Sequence, residues 1–523
     1  MTTEPAVLIV GAGPSGAPSF CSTYLRSSAN SMIPRTLELY KLLGILPEIE
    51  KRGQQIPMLR IYDLGQDKPL KESPFAEELT LEPQYYRVNA LVFGQEPHQE
   101  LLRQILEKEY GCSVERETEL DSFVQDGDMV AVNLMKHGKQ ETTTVKWLVG
   151  ADRGRSVVRK QLGLTFTGES HADITSVIGD IEVKKWPDEI DPKMWSLWGN
   201  QKEKSAIICP YVKDGKQMTF FLMGGEQMDV EGVAANPERI INMLHDISGR
   251  KGIEFGALYQ HAPWRANVRM ANKFGEGRVF IVGDAAHVHS PTGGQGMNSG
   301  VQDSGLAPQR LSESYTSERL PVIAAMLEMT TTLMRKFFAP AGNTERLTRD
   351  FEPRQLGIIY RKSPIIVDER YLGENETVDP YRSGLDGTVH AGDRALEAPG
   401  LKRLDSGEKT SIFEVFNATS HTVLFFGNSV SDIQEPLEFV ARYPKNIVKS
   451  VLVLPQGSAL PSTSDKALLD HVFVDCDGHA YKNYKLRPGD GFIVVVRPDG
   501  YIGAVAKGFS GLKEYFRNIL VNN

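Results

Sequence analysis

Cysteine is scarce in this chain. Cys21, Cys112, Cys209 and Cys476 are scattered through 523 residues, and no two stand in C-x-x-C spacing. That argues against a redox dithiol and a cysteine zinc site, and it suits a reducing compartment, so a cytoplasmic protein is expected. No run of 18 apolar residues occurs, and no charged-then-apolar leader opens the chain. A membrane span or secretory signal is therefore not expected. The formal charge is −8 with no basic run, which disfavours nucleic acid as a partner. Internal repeats and low-complexity tracts are also missing. What remains is ordinary globular material, 41% hydrophobic and 24% charged, enough for roughly two to four domains.

One further absence is local. Val7–Val10 is a short apolar run that predicts a buried parallel strand. It leads into Gly11-Ala12-Gly13-Pro14-Ser15-Gly16, a G-x-G-x-x-G loop of the kind that binds a dinucleotide. There Gly11 makes the tight turn, Gly13 admits a pyrophosphate, and Gly16 lets the next helix pack on the strand. The helix N-terminus then offers amide groups to phosphate. The pattern calls for a crossover helix, a second strand and an acidic ribose anchor about 20 residues on. Yet no acidic residue stands between Glu4 and Glu38, and residues 17–33 are too few for both elements. The first βαβ unit is expected to be incomplete.

Farther on, "PRTLELYKLLGI" has helical spacing, and Leu101, Leu102, Ile105 and Leu106 mark a helix ending at Gly111. "KWLVGADRGRSVVRKQLG" reads as strand, turn and helix. Residues 166–264 carry short apolar runs between charged turns, which predicts a mainly antiparallel sheet. "GRVFIVGDAAHVHSPTGGQGMNSGVQDS" returns to strand, loop and helix. Residues 341–384 read as a wrapping linker. From 385, alternating strands and helices predict a separate α/β domain. The fold expected is thus α/β and α+β. A doubly wound Rossmann-like domain (1–165 and 265–340) flanks an antiparallel sheet domain (166–264), with a further domain at 385–523. His287 and His289 lack a metal-spaced partner set, so packing or hydrogen bonding is expected of them and no metal site is predicted.

The phosphate loop, "LVGADRGRSVVR" and "GRVFIVGDAAHVHSPTGGQGMN", in this order and spacing, resemble the FAD-dependent aromatic hydroxylases, close to the phenol hydroxylase branch. The resemblance covers most of residues 5–370, and the remainder resembles the thioredoxin-like tail of that branch. It implies FAD, reduction by NADPH or NADH, O2, and a flavin C4a-hydroperoxide that hydroxylates a phenol-like or polyketide-type aromatic molecule. The cofactor supplies that chemistry and the protein positions it. By the same resemblance, Asp284 bonds the ribityl chain. Pro291 to Asn298, including Gly294, Gln295, Gly296 and Met297, lies along the flavin. Arg35 and Gln95 reach the FAD, while Asp152, Gly154 and Arg155 serve FAD and NADPH. The tail implies a possible homodimer.

Departures from the family pattern are expected to matter. Arg153 stands where a glycine is usual, at a cost of about 1 kcal/mol or more if its φ is positive. Near the substrate, Asn30 replaces an acidic residue and an amide cannot act as a base. Trp264, five residues before Arg269, and Phe221 stand where relatives carry tyrosines. With Pro291 they imply an apolar pocket, which Trp195 and Trp198 could line or underlie. A second gap follows "GQGMNSGVQD", where Gly305 and Pro308 break a helix that resumes at "SYTSERLPV". Two alternatives therefore stand beside the hydroxylase. One is a non-catalytic remnant with impaired FAD binding, and the other a flavin-dependent epoxidase or dehydrogenase on the same fold.

Overall fold

The computed structural model describes residues 6–11, 29–76, 78–200, 202–213, 215–226, 228–289, 294–304, 311–337, 354–371, 379–382, 387–458 and 468–520. Gly13, Gly16, Pro291 and the break at 305–310 lie outside them.

Three strands, Val7–Val10, Trp147–Gly150 and Val279–Ile281, run parallel, and Gly275–Glu276 closes one edge antiparallel. The three central strands come from distant parts of the chain, as the discontinuous domain requires. An antiparallel meander over Thr118–Asp126, Met129–Lys136 and Lys139–Val145 shares a core with them through Val130, Val132, Leu148 and Ile281. The expectation of a fully buried first strand is corrected here. Val7–Val10 pairs only with Trp147–Gly150 among the described residues, and Val7 and Ile9 remain 40% and 44% exposed. Among the described residues no second strand covers this edge, and its apolar side chains face solvent.

The middle sheet has eight strands in the order His287–Val288, Glu254–Ala271, Phe166–Lys185, Lys216–Gly224, Ser205–Lys213, Trp195–Gly199, Met58–Tyr62 and Lys71–Pro74. The last two come from the segment assigned by sequence to the nucleotide-binding domain. Alternation sorts its side chains into two layers. Ala206, Ile208, Phe221, Met223, Val177 and Trp198 face the helices Val230–Ala234 and Pro237–Ser248. The latter helix starts on Asn236, whose side chain accepts from the Glu238 and Arg239 amides, and stops at Gly249 with φ 66°. Cys209, Ile207, Phe220, Trp195 and Leu197 form the other face, packed with Val92 of strand Leu91–Gly94.

In the C-terminal domain, His421–Phe426, Val448–Pro455 and His471–Asp475 are parallel, and Ile493–Val496 and Ile502–Ala506 are antiparallel additions. Val367–Asp368, from the expected linker, joins this sheet at its edge. Val423 and Phe425 pack on the helices Gln434–Val440 and Phe509–Ile519. Leu424 and Phe426, pointing the other way, share a core with Leu37, Tyr40 and Leu42 of the helix Pro34–Leu42.

Candidate active site

The three parallel strands end together, and each runs straight into a residue singled out by sequence. Val10 leads to Gly11, Gly150 to Ala151 and Asp152, and Ile281 to Gly283 and Asp284. Ligands of open α/β sheets bind beyond such carboxyl ends. Gly11 has φ 92°, and a Cβ there would collide with the main chain of Ala151, so only glycine fits this turn. Ser156 caps the helix Val157–Gln161, and Asp152 adds to it, its Oδ2 accepting from the Val157 amide at 2.6 Å and the Val158 amide at 3.3 Å. The buried Oδ1 of Asp152 has no partner among the described residues. Arg153 sits at φ 67°, so the condition under which a side chain costs about 1 kcal/mol or more at this glycine position is met. Arg155 is exposed.

Asp284 occupies a short 3-10 turn, Gly283–Ala285. Its side chain opens to solvent between buried neighbours, Gly283 and Ala285. That partial burial raises its carboxyl pKa, against the opposing pull of the His287 and Arg153 charges. The turn is held from behind by a residue the sequence reading missed. Asp303 accepts from the Gly283 amide at 3.0 Å, from His287 Nε2 at 2.8 Å and from Arg319 Nε at 2.8 Å. Burial opposes the Asp303 charge, but Arg319 and His287 outweigh it and hold the carboxyl at about 2. His287 is accordingly a buried hydrogen-bonding residue. Arg159 ties the two loops together, donating to the Ala285 carbonyl at 2.8 Å and the Gly154 carbonyl at 2.7 Å.

The helix Gln295–Ser304 begins beside strand Ala29–Met32. Gly294 has φ 65°, and a Cβ on it would approach Ser31 Oγ to 2.9 Å. Asn298 Oδ1 accepts from the Ile33 amide at 3.1 Å, and its Nδ2 donates to the Ser31 and Gly294 carbonyls. Gln295 is buried and accepts from Gln355 Nε2 at 2.6 Å. A Cβ on Gly296 would meet His289 Nε2 at 2.7 Å, and Met297 packs into the core beneath. The side chains of this motif thus hold its own loop, and what the helix start offers a ligand is main-chain N–H. Gln95 opens the helix Gln95–Tyr110, and its neighbour Glu96 pairs with Lys213 of the middle sheet at 2.5 Å.

Arg35 has a different place from the one expected. It is fully buried, donating to Glu38 at 2.9 Å and to the Asp499 carbonyl at 2.5 Å, with its guanidinium 4.6 Å from the Tyr501 ring centre. These contacts join the first helix to the C-terminal domain, so the expected reach of Arg35 to FAD gives way to a role at that junction.

Residues 20–330 match the FAD binding domain family, and residues 440–523 match the phenol hydroxylase C-terminal dimerisation domain. The chain belongs to the FAD-dependent aromatic hydroxylases. A flavin-dependent monooxygenase of Mycobacteroides abscessus is 28% identical over 555 residues, spanning 98% of this chain and all of that protein. Pentachlorophenol 4-monooxygenase of Sphingobium chlorophenolicum is 25% identical, over 97% of this chain and 94% of its own. Aklavinone-11 hydroxylase, solved with FAD and aklavinone, has the same fold with a TM-score of 0.76 at 20% identity, covering 98% of this chain and 99% of its own.

In this hydroxylase one face of the middle sheet packs on Val92 of the strand Leu91–Gly94 and reaches Glu96 through Lys213, and that strand pairs with Ala29–Met32 beside Gly294. Phe221 is not on it. It is fully buried against the helices, and Phe220 and Leu222 take the cleft side instead. The sequence reading was one residue out, which in a strand reverses the face. Trp195 lies on the cleft side, edge-on to Phe75 at 4.5 Å, while Trp198 is core, stacked on Tyr62 at 4.9 Å. Trp264 is half-buried against Met334 of the helix Leu311–Phe337. Arg269 donates to Ser170 Oγ at 3.1 Å within the sheet. Asn30 pairs through its main chain with Phe93, and its side chain lies outside the described set.

Proposed function

We propose that this hydroxylase uses FAD and NADPH or NADH to insert one oxygen atom of O2 into a phenol-like or polyketide-type aromatic ring. The observation that carries the reading is the convergence of Gly11, Asp152 and Asp284 at the ends of three parallel strands. Their chemistry fits FAD. Gly11 lets the first strand turn tightly against the Ala151 main chain, Asp284 offers a carboxylate to ribityl hydroxyls, and Asp152 keeps a buried oxygen that has no partner among the described residues. Bound FAD, once reduced, supplies the oxygen activation. The N-terminus of Gln295–Ser304 favours negative charge on whatever lies against it. Phe220, Leu222 and Trp195 would hold the ring and exclude water. Asp303, through Gly283, keeps the Asp284 turn in place. The tail, read as thioredoxin-like, would dimerise without redox chemistry. The free thiols of Cys112, Cys209 and Cys476 suit the cytoplasm. No helix among the described residues is long and apolar enough to cross a membrane.

A second reading, impaired FAD binding, is favoured by the Val7–Val10 strand, which has a single strand neighbour among the described residues. The alignment with the mycobacterial relative, at 555 residues, is also longer than this chain of 523. Losing a charge-assisted bond to a ribose hydroxyl costs about 1.5–3 kcal/mol, roughly 10- to 150-fold in affinity. Titration with FAD separates the two. Sub-micromolar binding, with NAD(P)H oxidation stimulated by phenols and labelled oxygen in the product, supports the working enzyme. Weak binding that is restored by grafting a relative's helix and strand after Gly16 supports the impaired one.

A further inference from the structure

The pocket as read from sequence has no base, yet the cleft side of the middle sheet carries a buried carboxylate. Asp180 is almost fully enclosed and accepts from the Tyr211 hydroxyl at 2.9 Å. Tyr211 reaches it from two strands away, across Lys216–Gly224, so its ring lies along the sheet surface. Asp180 pairs with Phe220, and Phe220 with Cys209, which fixes the face. Lys213, two residues beyond Tyr211 on that face, holds Glu96, next to Gln95. The pair therefore lies on the face that Lys213 joins to Glu96 at the start of the helix Gln95–Tyr110.

We propose that Asp180 and Tyr211 recognise and activate a phenolic hydroxyl of the substrate. The proposal rests on the aromatic hydroxylase reading above. The substrate hydroxyl donates to Tyr211 Oη while Tyr211 donates to Asp180. As the ring is attacked, the substrate proton passes to Tyr211 and the Tyr211 proton to Asp180. One O–H bond breaks on the substrate, one forms on the carboxyl group, and no electrons change hands. Activation by a tyrosine–carboxylate pair takes the part that Asn30 cannot play. The charged groups beside the pair on this face have partners, and Lys216 also donates to the Tyr259 hydroxyl at 2.9 Å. Burial, with the Asp180 charge added, raises the Cys209 thiol pKa, Glu182 lies 3.8 Å from Lys216, and Lys213 is paired with Glu96. His261, paired with Gly179, belongs to the opposite face.

The test uses the whole protein with FAD added and 4-nitrophenol, whose colour reports ionisation near neutral pH. An ionised Asp180 repels the phenolate, so wild-type affinity should fall about tenfold as the probe ionises. Asp180→Asn should flatten that dependence. Tyr211→Phe, which keeps the ring and the fold, should weaken binding of the neutral phenol about tenfold. Identical pH dependence in wild type and Asp180→Asn, an unaffected Tyr211→Phe, or no probe binding at all overturns the proposal. The two readings fail separately. FAD uptake and NAD(P)H oxidation with indistinguishable variants would sink the pair alone. Variants that differ in a protein taking up no flavin would sink the redox reading alone.

Discussion

Arg497 grips Glu318 with both ends of its guanidinium, at 2.7 and 2.9 Å, and both side chains are buried. The pair bolts the C-terminal domain to the helix Leu311–Phe337. Asp499 and Ser363 complete it, at 2.5 Å from Arg497 and from Glu318 respectively. Removing one partner of a buried pair strands the other, at about 3–5 kcal/mol. Arg497→Ala should therefore lower the urea midpoint far more than truncation of an exposed pair such as Arg265 and Glu231. Equal effects of the two truncations would refute this.

Asp284→Ala should abolish or greatly weaken FAD binding while leaving the fold intact, because its carboxylate opens into the cleft and bears no core. Flavin absorbance after gel filtration reads the outcome, and unchanged flavin content would remove Asp284 from the site.

Phe220 and Phe221 should behave as opposites. Phe221→Ala opens a void under the two helices and should cost about 3–5 kcal/mol. Phe220→Ala should cost less stability and instead weaken binding of an aromatic ligand. Chemical denaturation and ligand titration on both variants decide, and a reversed pattern would show the sheet turned over.

Acid should destabilise the protein before its carboxylates titrate. His98 and His421 are buried, and burial lowers both to about 4. For His421 the Arg497 charge adds to the lowering, while Asp499 opposes it. A histidine whose folded pKa lies below its unfolded value binds its proton more readily when unfolded. Stability is then intact above about pH 6.5 and is lost as pH falls toward 4, by roughly 2 kcal/mol per group at pH 5. Asp303, held at about 2, acts lower, its contribution lost between its ordinary pKa and 2. Melting curves at pH 7 and 5 check this, and His98→Gln should shrink the difference. An unchanged difference would show that His98 charges freely in the fold.

The strand-end motifs were legible because their residues answer to local geometry. A glycine against a neighbouring backbone, or an Asp after an apolar strand, is a one-strand statement. Asp303 and Arg319 were not legible, since nothing in a helix names the turn 20 residues away that it will hold. Phe221 was misplaced because an alternating pattern is ambiguous in "MTFFLMGG", where both parities are apolar. The strands at 58–62 and 71–74 escaped because their partners are remote in sequence. Arg35 was read through its motif, while its partners Asp499 and Tyr501 lie in another domain.

The strand His421–Phe426 serves two interiors, its odd residues filling the tail and its even residues completing the first helix's surroundings. A strand so shared cannot melt on one side alone. The tail should therefore unfold together with the nucleotide-binding unit in a single cooperative step. Chains cut near residue 385 would leave Leu37, Tyr40 and Leu42 bare, which makes the tail a part of the catalytic body's own fold.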